Sequence, residues 1–331
     1  MICFTVLLLV LILVNSASHT YEYLGSCIAS RSLQSDTAIV FGAICNFLGG
    51  LIMLPLGSEV AKTLCRLIQP VGDPRKALSA ISAGILAALL FSLVSVKLRL
   101  PTAETHSLPA AITGAALAFG SEEIIIEPRV WIPILEGAFL STIPVFFLGF
   151  FLHSILLRFL SHFKRKRMLG LFGISMRRLN AGSGAILYGA QSSQRYLGVY
   201  VLGLSLWQNG TGLIKVVIPH SLGIICAAVV ALGTLLGGIG IVKRVSRDLA
   251  KLDSIAMSAA DGASSLIVSI CSIIGIPADL SYSKVCGVMG AGMCRHHGTN
   301  LRVAKQMISL WLISIPICAL LGFVLALPFR G

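Results

Sequence analysis

The feature that most constrains this chain is a series of apolar runs long enough to cross a lipid bilayer. They occupy residues 37–57, 78–98, 130–157, 213–242, 255–276 and 304–327, with a shorter run at 197–206. About 20 apolar residues in a helix span the hydrocarbon. A backbone at that depth must satisfy its own hydrogen bonds, so such runs form helices. Three further apolar pieces, 2–14, 108–120 and 284–293, are too short to span comfortably. With 56% hydrophobic and only 12% charged residues, the chain is expected to be an all-α polytopic membrane protein.

The formal charge of +13 is unevenly distributed. Residues 158–178 contain Lys164-Arg165-Lys166-Arg167 and Arg177-Arg178 and no acidic residue. The positive-inside rule assigns this loop to the cytoplasm, which for a bacterial protein means the inner, plasma membrane. No domain surrounds the run to present it to nucleic acid. The segment Met1–Val14 is apolar but lacks the basic start of a secretory signal, so it is read as a retained first membrane segment. The nine cysteines show no C-x-x-C spacing and fall mostly within apolar runs, as free core thiols do. No phosphate-cradling Gly loop, nucleophile elbow or HExxH pattern occurs, so enzyme chemistry is not expected, nor a cofactor beyond a coupling ion.

The basic loop divides the chain into residues 1–157, a linker at 158–178, and residues 179–331, and the two flanking parts repeat the same order of features. Ser16–Gly25 reads SASHTYEYLG, and Gly189–Gly198 reads GAQSSQRYLG. Arg99–His106, RLPTAETH, is answered by Gly275–Tyr282, GIPADLSY, and each precedes a short Gly-rich apolar piece. Duplication with polar interruptions at matching places is the pattern of a secondary transporter built from inverted-topology repeats. Broken or re-entrant helices at the midplane are therefore expected, because polar segments at that depth must line a cavity or be buried in protein. Helices starting just after Pro101 and Pro277 would aim free N–H groups at a bound anion.

These segments resemble the inorganic phosphate transporter (PiT) family, whose repeats each carry a G-A-N-D-x-x-[NQ] signature and, later, P-x-S-T-T-H before a Gly-rich helix. Gly189-Ala190-Gln191-Ser192-Ser193-Gln194 falls on the second signature and Ser16-Ala17-Ser18-His19-Thr20-Tyr21-Glu22 on the first. Pro101-Thr102-Ala103-Glu104-Thr105-His106 keeps the Pro, a Thr and the His of the later segment, whereas its counterpart keeps Pro277 and the hydroxyl of Ser281. Both signature aspartates are replaced, by His19 and Ser192. The resemblance implies a symporter of an inorganic oxyanion, phosphate or else sulfate, coupled to protons or sodium by alternating access, with a homo-oligomer allowed. The alternative is a degenerate family member that does not transport and serves as a membrane interaction subunit.

Hydroxyls and amides supply a tetrahedral oxyanion with donors that carry no fixed charge, and Ser18, Thr20, Thr105, Ser107, Gln191, Ser192, Gln194, Ser281 and Ser283 are the expected ligands. Arg195 offers a planar fork for an oxyanion or for Glu22, its counterpart in the repeat. Ionisable groups inside a bilayer are costly and mark ion paths or buried pairs, which singles out His19, Glu22, Glu104 and Asp261 for ion coupling. Glu122, Glu123 and Glu127 are expected in a solvated loop.

Overall fold

The computed structural model describes residues 1–56, 59–98, 103–162, 166–209, 220–237, 254–294 and 301–330. Pro101, Thr102, Lys164, Arg165 and residues 238–253 and 295–300 lie outside them. Helices dominate: α1 (Ile2–Ala29), α2 (Ser35–Leu56), α3 (Glu59–Cys65), α4 (Pro74–Leu98), α5 (Glu104–Phe119), α6 (Trp131–Leu140) and α7 (Ile143–Ser161) come first. After them follow α8 (Lys166–Asn209), α9 (His220–Leu236), α10 (Ser254–Ile274), α11 (Leu280–Met293) and α12 (Leu301–Ala326). Two three-residue strands, β1 (Ile68–Pro70) and β2 (Ile124–Ile126), pair antiparallel with Ile68 opposite Ile126.

Six stretches among the described residues are long and apolar enough to cross a membrane. Their outward faces are what lipid requires: Ile143, Phe147, Phe151, Ile155 and Phe159 form an exposed stripe along α7, repeating every fourth residue as a helix face does. The protein is thus an all-α integral membrane protein. The run 130–157 is two helices rather than one, divided at Ser141 and Thr142, with Pro144 tolerated in the first turn of α7 because that turn's N–H groups have no helical partner.

The expectation that SASHTYEYLG and GAQSSQRYLG interrupt their helices is corrected. Both lie inside continuous helices, α1 of 28 residues and α8 of 44. The reason is local. Ser18 Oγ donates to Asn15 O at 2.8 Å and Thr20 Oγ1 to Ser16 O at 2.9 Å, so these hydroxyls bond their own helix. The remaining polar side chains are buried against other helices. The piece 2–14 is accordingly the first half of a full-length α1. Two helices too short to span the bilayer, α5 and α11 of 16 and 14 residues, are both entered from extended backbone, at Ala103 and Asp279.

Packing repeats between the two parts of the chain, with an exchange. α5 packs on α4 and on α12, and α11 packs on α10 and on α7, so the last long helix of each part lies against the other part. The closest approaches recur at equivalent glycines. A Cβ on Gly114 of α5 would lie 1.9 Å from Ala319 O of α12, and one on Gly290 of α11 would lie 1.9 Å from Phe146 O of α7. Likewise α1 meets α9, and α2 meets α8.

Candidate functional site

The N-terminal ends of α5 and α11 point into the region where α1 and α8 pass each other. Four helices therefore deliver polar side chains to one buried place. Asp279 caps α11, its Oδ1 accepting from Ser281 N at 2.9 Å and Tyr282 N at 3.3 Å, while its own N–H donates to Ser141 Oγ at 3.1 Å. An N-cap Asp satisfies donors that would otherwise be orphaned. Glu104 opens α5 and has no such local duty.

Glu104 is instead held by the opposite helices. Arg195 donates through NH1 to Glu104 Oε2 at 2.7 Å, and Tyr196 OH donates to the same oxygen at 2.8 Å. Tyr188 OH donates to Oε1 at 3.3 Å. His19 Nε2 lies 3.1 Å from that oxygen, near enough for charge attraction but off the hydrogen-bond direction. Its Nδ1 contacts Glu22, and Ser281 Oγ donates to the same Glu22 carboxylate. Arg195 NH2 donates to Thr105 Oγ1 at 3.2 Å, and Thr105 in turn donates to Asp279 Oδ2 at 2.9 Å. Every member of this network is buried.

Two of these contacts are copies of each other. Glu22 and Arg195 occupy the same place in the two signatures, and Ser281 and Thr105 the same place after their prolines. Glu22 meets Ser281 and Arg195 meets Thr105, so each signature reaches across to the other part of the chain. The pairing of Arg195 with Glu22, one of two roles read from sequence, is replaced by the pairing with Glu104, because α5 brings its first residue between the signatures.

A cavity of about 10 Å³ remains among His19, Glu22, Glu104, Ser192, Arg195 and Asp279, room for about one water. Its α8 wall is under-satisfied. Among the described residues, Gln191 Oε1, Ser192 Oγ and Arg195 Nε of the lining are buried without a hydrogen-bond partner. Buried polar atoms are normally paired, so three unpaired in one wall mark a place where a polar guest belongs.

The structure thus brings together His19, Glu22, Glu104, Thr105, Gln191, Ser192, Arg195 and Ser281. Gln191 reaches its edge, donating through Nε2 to Ser272 Oγ at 2.7 Å. Ser18 and Thr20 bond their own helix and stand apart from the cavity lining. Ser107, Gln194 and Ser283 are buried nearby without lining the cavity. Asp261 lies elsewhere, paired with Lys284. Tyr188, Tyr196 and the capping role of Asp279 were missed in the sequence. The two tyrosines carry no formal charge, but a Tyr hydroxyl at membrane depth needs a partner and was a usable signal. Among the described residues no group of three or more His, Cys, Asp or Glu is arranged to hold a metal ion.

Comparison with known proteins bears on this arrangement. The model of the phosphate transporter family matches residues 15–176 and 171–322. A probable low-affinity inorganic phosphate transporter of Bacillus subtilis is 27% identical over 315 residues, covering 94% of this chain and 91% of that protein. One from Rhizobium meliloti is 23% identical, covering 93% and 90%. Among solved structures, one named the sodium-dependent phosphate transporter superposes with a TM-score of 0.82 at 17% identity, covering 99% of this chain and 98% of that one.

Proposed function

The chain belongs to the phosphate transporter family, and we propose that it is a secondary transporter that carries inorganic phosphate with protons by alternating access. The observation that carries this reading is the charge inventory of the buried network. Glu22, Glu104 and Asp279 face one permanent cation, Arg195, and one titratable group, His19. An anion enters such a place only with accompanying positive charge, since an uncompensated charge in low dielectric is very costly. Protons on Glu104 and His19 supply it. Protonating Glu104 also frees the fork of Arg195, which then turns two donors to the oxyanion. Ser192 Oγ and Arg195 Nε, unpaired in the cavity wall, complete the donors.

Phosphate fits better than sulfate. At neutral pH phosphate carries one or two P–OH groups that can donate to carboxylates and to the carbonyl oxygen of Gln191, whereas sulfate has none and meets every acceptor as an additional repulsion. The cavity is too small for either ion, so the anion is admitted by a state in which the helices around it part. The repeated contacts and the exchanged α7 and α12 support halves at 1–157 and 179–331, related by a pseudo-two-fold axis in the membrane plane. For a bacterial protein, the positive-inside rule puts residues 158–178 on the cytoplasmic side of the plasma membrane. Sodium coupling is the second reading, favoured by the sodium dependence in the name of the structural neighbour.

The test is uptake of radiolabelled phosphate and sulfate into proteoliposomes, with proton and sodium gradients imposed separately. Phosphate accumulation driven by an inward proton gradient, without competition from sulfate, is expected. Accumulation under sodium alone would favour the second coupling, and no uptake under either gradient would leave a non-transporting family member.

A further inference from the structure

One partly buried cation lies outside the cavity lining. Lys284 of α11 directs Nζ to Asp261 Oδ1 of α10, and Ser26 of α1 donates through Oγ to the other carboxylate oxygen, Oδ2, at 2.7 Å. The side chains are 14% exposed for Lys284 and 4% for Asp261. The approach of α10 and α11 is close here, since a Cβ on Gly287 would lie 2.8 Å from Ala260 O. Glu22 and Cys27 of α1 are the other titratable groups near Lys284, and Arg177 and Arg178 of α8 lie near Cys27.

The position matters. Ser26 lies one turn beyond Glu22 on α1, and Lys284 one turn beyond Ser281 on α11. The Glu22–Ser281 contact and the Ser26–Asp261–Lys284 group are therefore successive rungs between α1 and α11, the second bridged by Asp261 of α10, one inside the candidate anion site and one beside it. A carboxylate with a hydroxyl neighbour at membrane depth is a hard oxygen donor set that attracts a small cation. Here an ammonium on the chain itself sits against it.

We propose that Lys284 is a tethered cation filling an alkali-cation site built from Asp261 and Ser26, so that proton loading of its amine does at this rung what a bound sodium ion would do. The role in coupling rests on the transport reading. One proton from one side of the membrane converts the amine to the ammonium that closes the rung, and its loss to the other side reopens it. Only an N–H bond forms and breaks.

The test is sodium binding by the purified full chain, read as the sodium-dependent shift in melting temperature against choline at equal ionic strength. Wild type and Lys284→Arg should show no sodium-specific shift. Lys284→Ala should gain one of several degrees, and Lys284→Ala/Asp261→Asn should lose it again. In proteoliposomes, Lys284→Ala should acquire sodium stimulation of phosphate uptake that wild type lacks. If Lys284→Ala is folded and indifferent to sodium and lithium, or unfolds in every salt while the double variant folds, the tethered-cation role is wrong. A wild type that takes up no phosphate would overturn the transport reading alone, because the melting shift reports the cation site independently.

Discussion

At Arg195 the guanidinium is divided between Glu104 and Thr105, at 2.7 and 3.2 Å, while its Nε has no partner among the described residues. On the proposed transport of phosphate, that division would let the residue switch between an internal carboxylate and an external oxyanion, and it depends on the planar fork. Arg195→Lys keeps the charge but loses the two-pronged geometry. Half-saturation for phosphate uptake should rise about ten- to hundred-fold, the equivalent of about 1.5–3 kcal/mol for hydrogen bonds to charged groups. Thr105→Ala removes both the acceptor for Arg195 and the donor to Asp279 and should weaken uptake by a similar factor; equal half-saturation in both variants and wild type would move the anion elsewhere. Much of this site is legible from residue type alone, because His19, Glu22, Glu104 and Arg195 are ionisable groups between apolar runs. Who pairs with whom is not legible. The Glu104–Arg195 pair depends on where α5 enters, which no local spacing encodes. Lys284 could have been found by the same rule as Asp261, but its place at the start of an apolar piece reads as an interface anchor.

The helices were legible as apolar runs, and their continuity was not. Polar stretches look like breaks, yet in α1 hydroxyls that bond their own carbonyls leave the helix intact, and in α8 Gln191 and Arg195 find partners on neighbouring helices. The glycines of α5 and α11 carry a different message, since they mark crossings. Gly290→Leu would drive a side chain against the Phe146 carbonyl of α7, and Gly114→Leu against that of Ala319 in α12. Neither backbone can yield without parting two helices, so each should cost at least about 1–3 kcal/mol. A lowered melting temperature in detergent checks this, and an unchanged one would mean the helices are not so close. Outside the membrane elements, Glu123 accepts from Lys76 Nζ at 2.7 Å, and that bond holds its carboxyl below the usual range. A depressed value makes the contribution present at neutral pH and lost on acidification through the folded value. Being remote from the network, Glu123→Gln should leave the pH profile of uptake as in wild type.

Across the whole molecule, the repeated contacts, the exchanged helices and the closed cavity fit the two-part carrier proposed above, with one buried polar centre. Its charge balance sets the sign of the pH response. On the proposed proton coupling, protons taken up by this network favour the anion, so phosphate affinity should rise as pH falls. Glu104→Gln, which mimics the protonated carboxyl, should bind phosphate with little pH dependence and fail to accumulate it against a gradient. His19→Ala should flatten the profile without abolishing binding. If uptake requires sodium and ignores pH in all three proteins, the proton role of this centre is wrong. The most direct measurement is to locate the anion itself by anomalous diffraction at the arsenic edge from crystals grown with arsenate, a tetrahedral phosphate mimic. The arsenic peak should fall among Ser192, Arg195 and Glu104, with the Arg195–Glu104 contact opened. A peak elsewhere, with that contact intact, would contradict the assignment of this buried network as the phosphate site.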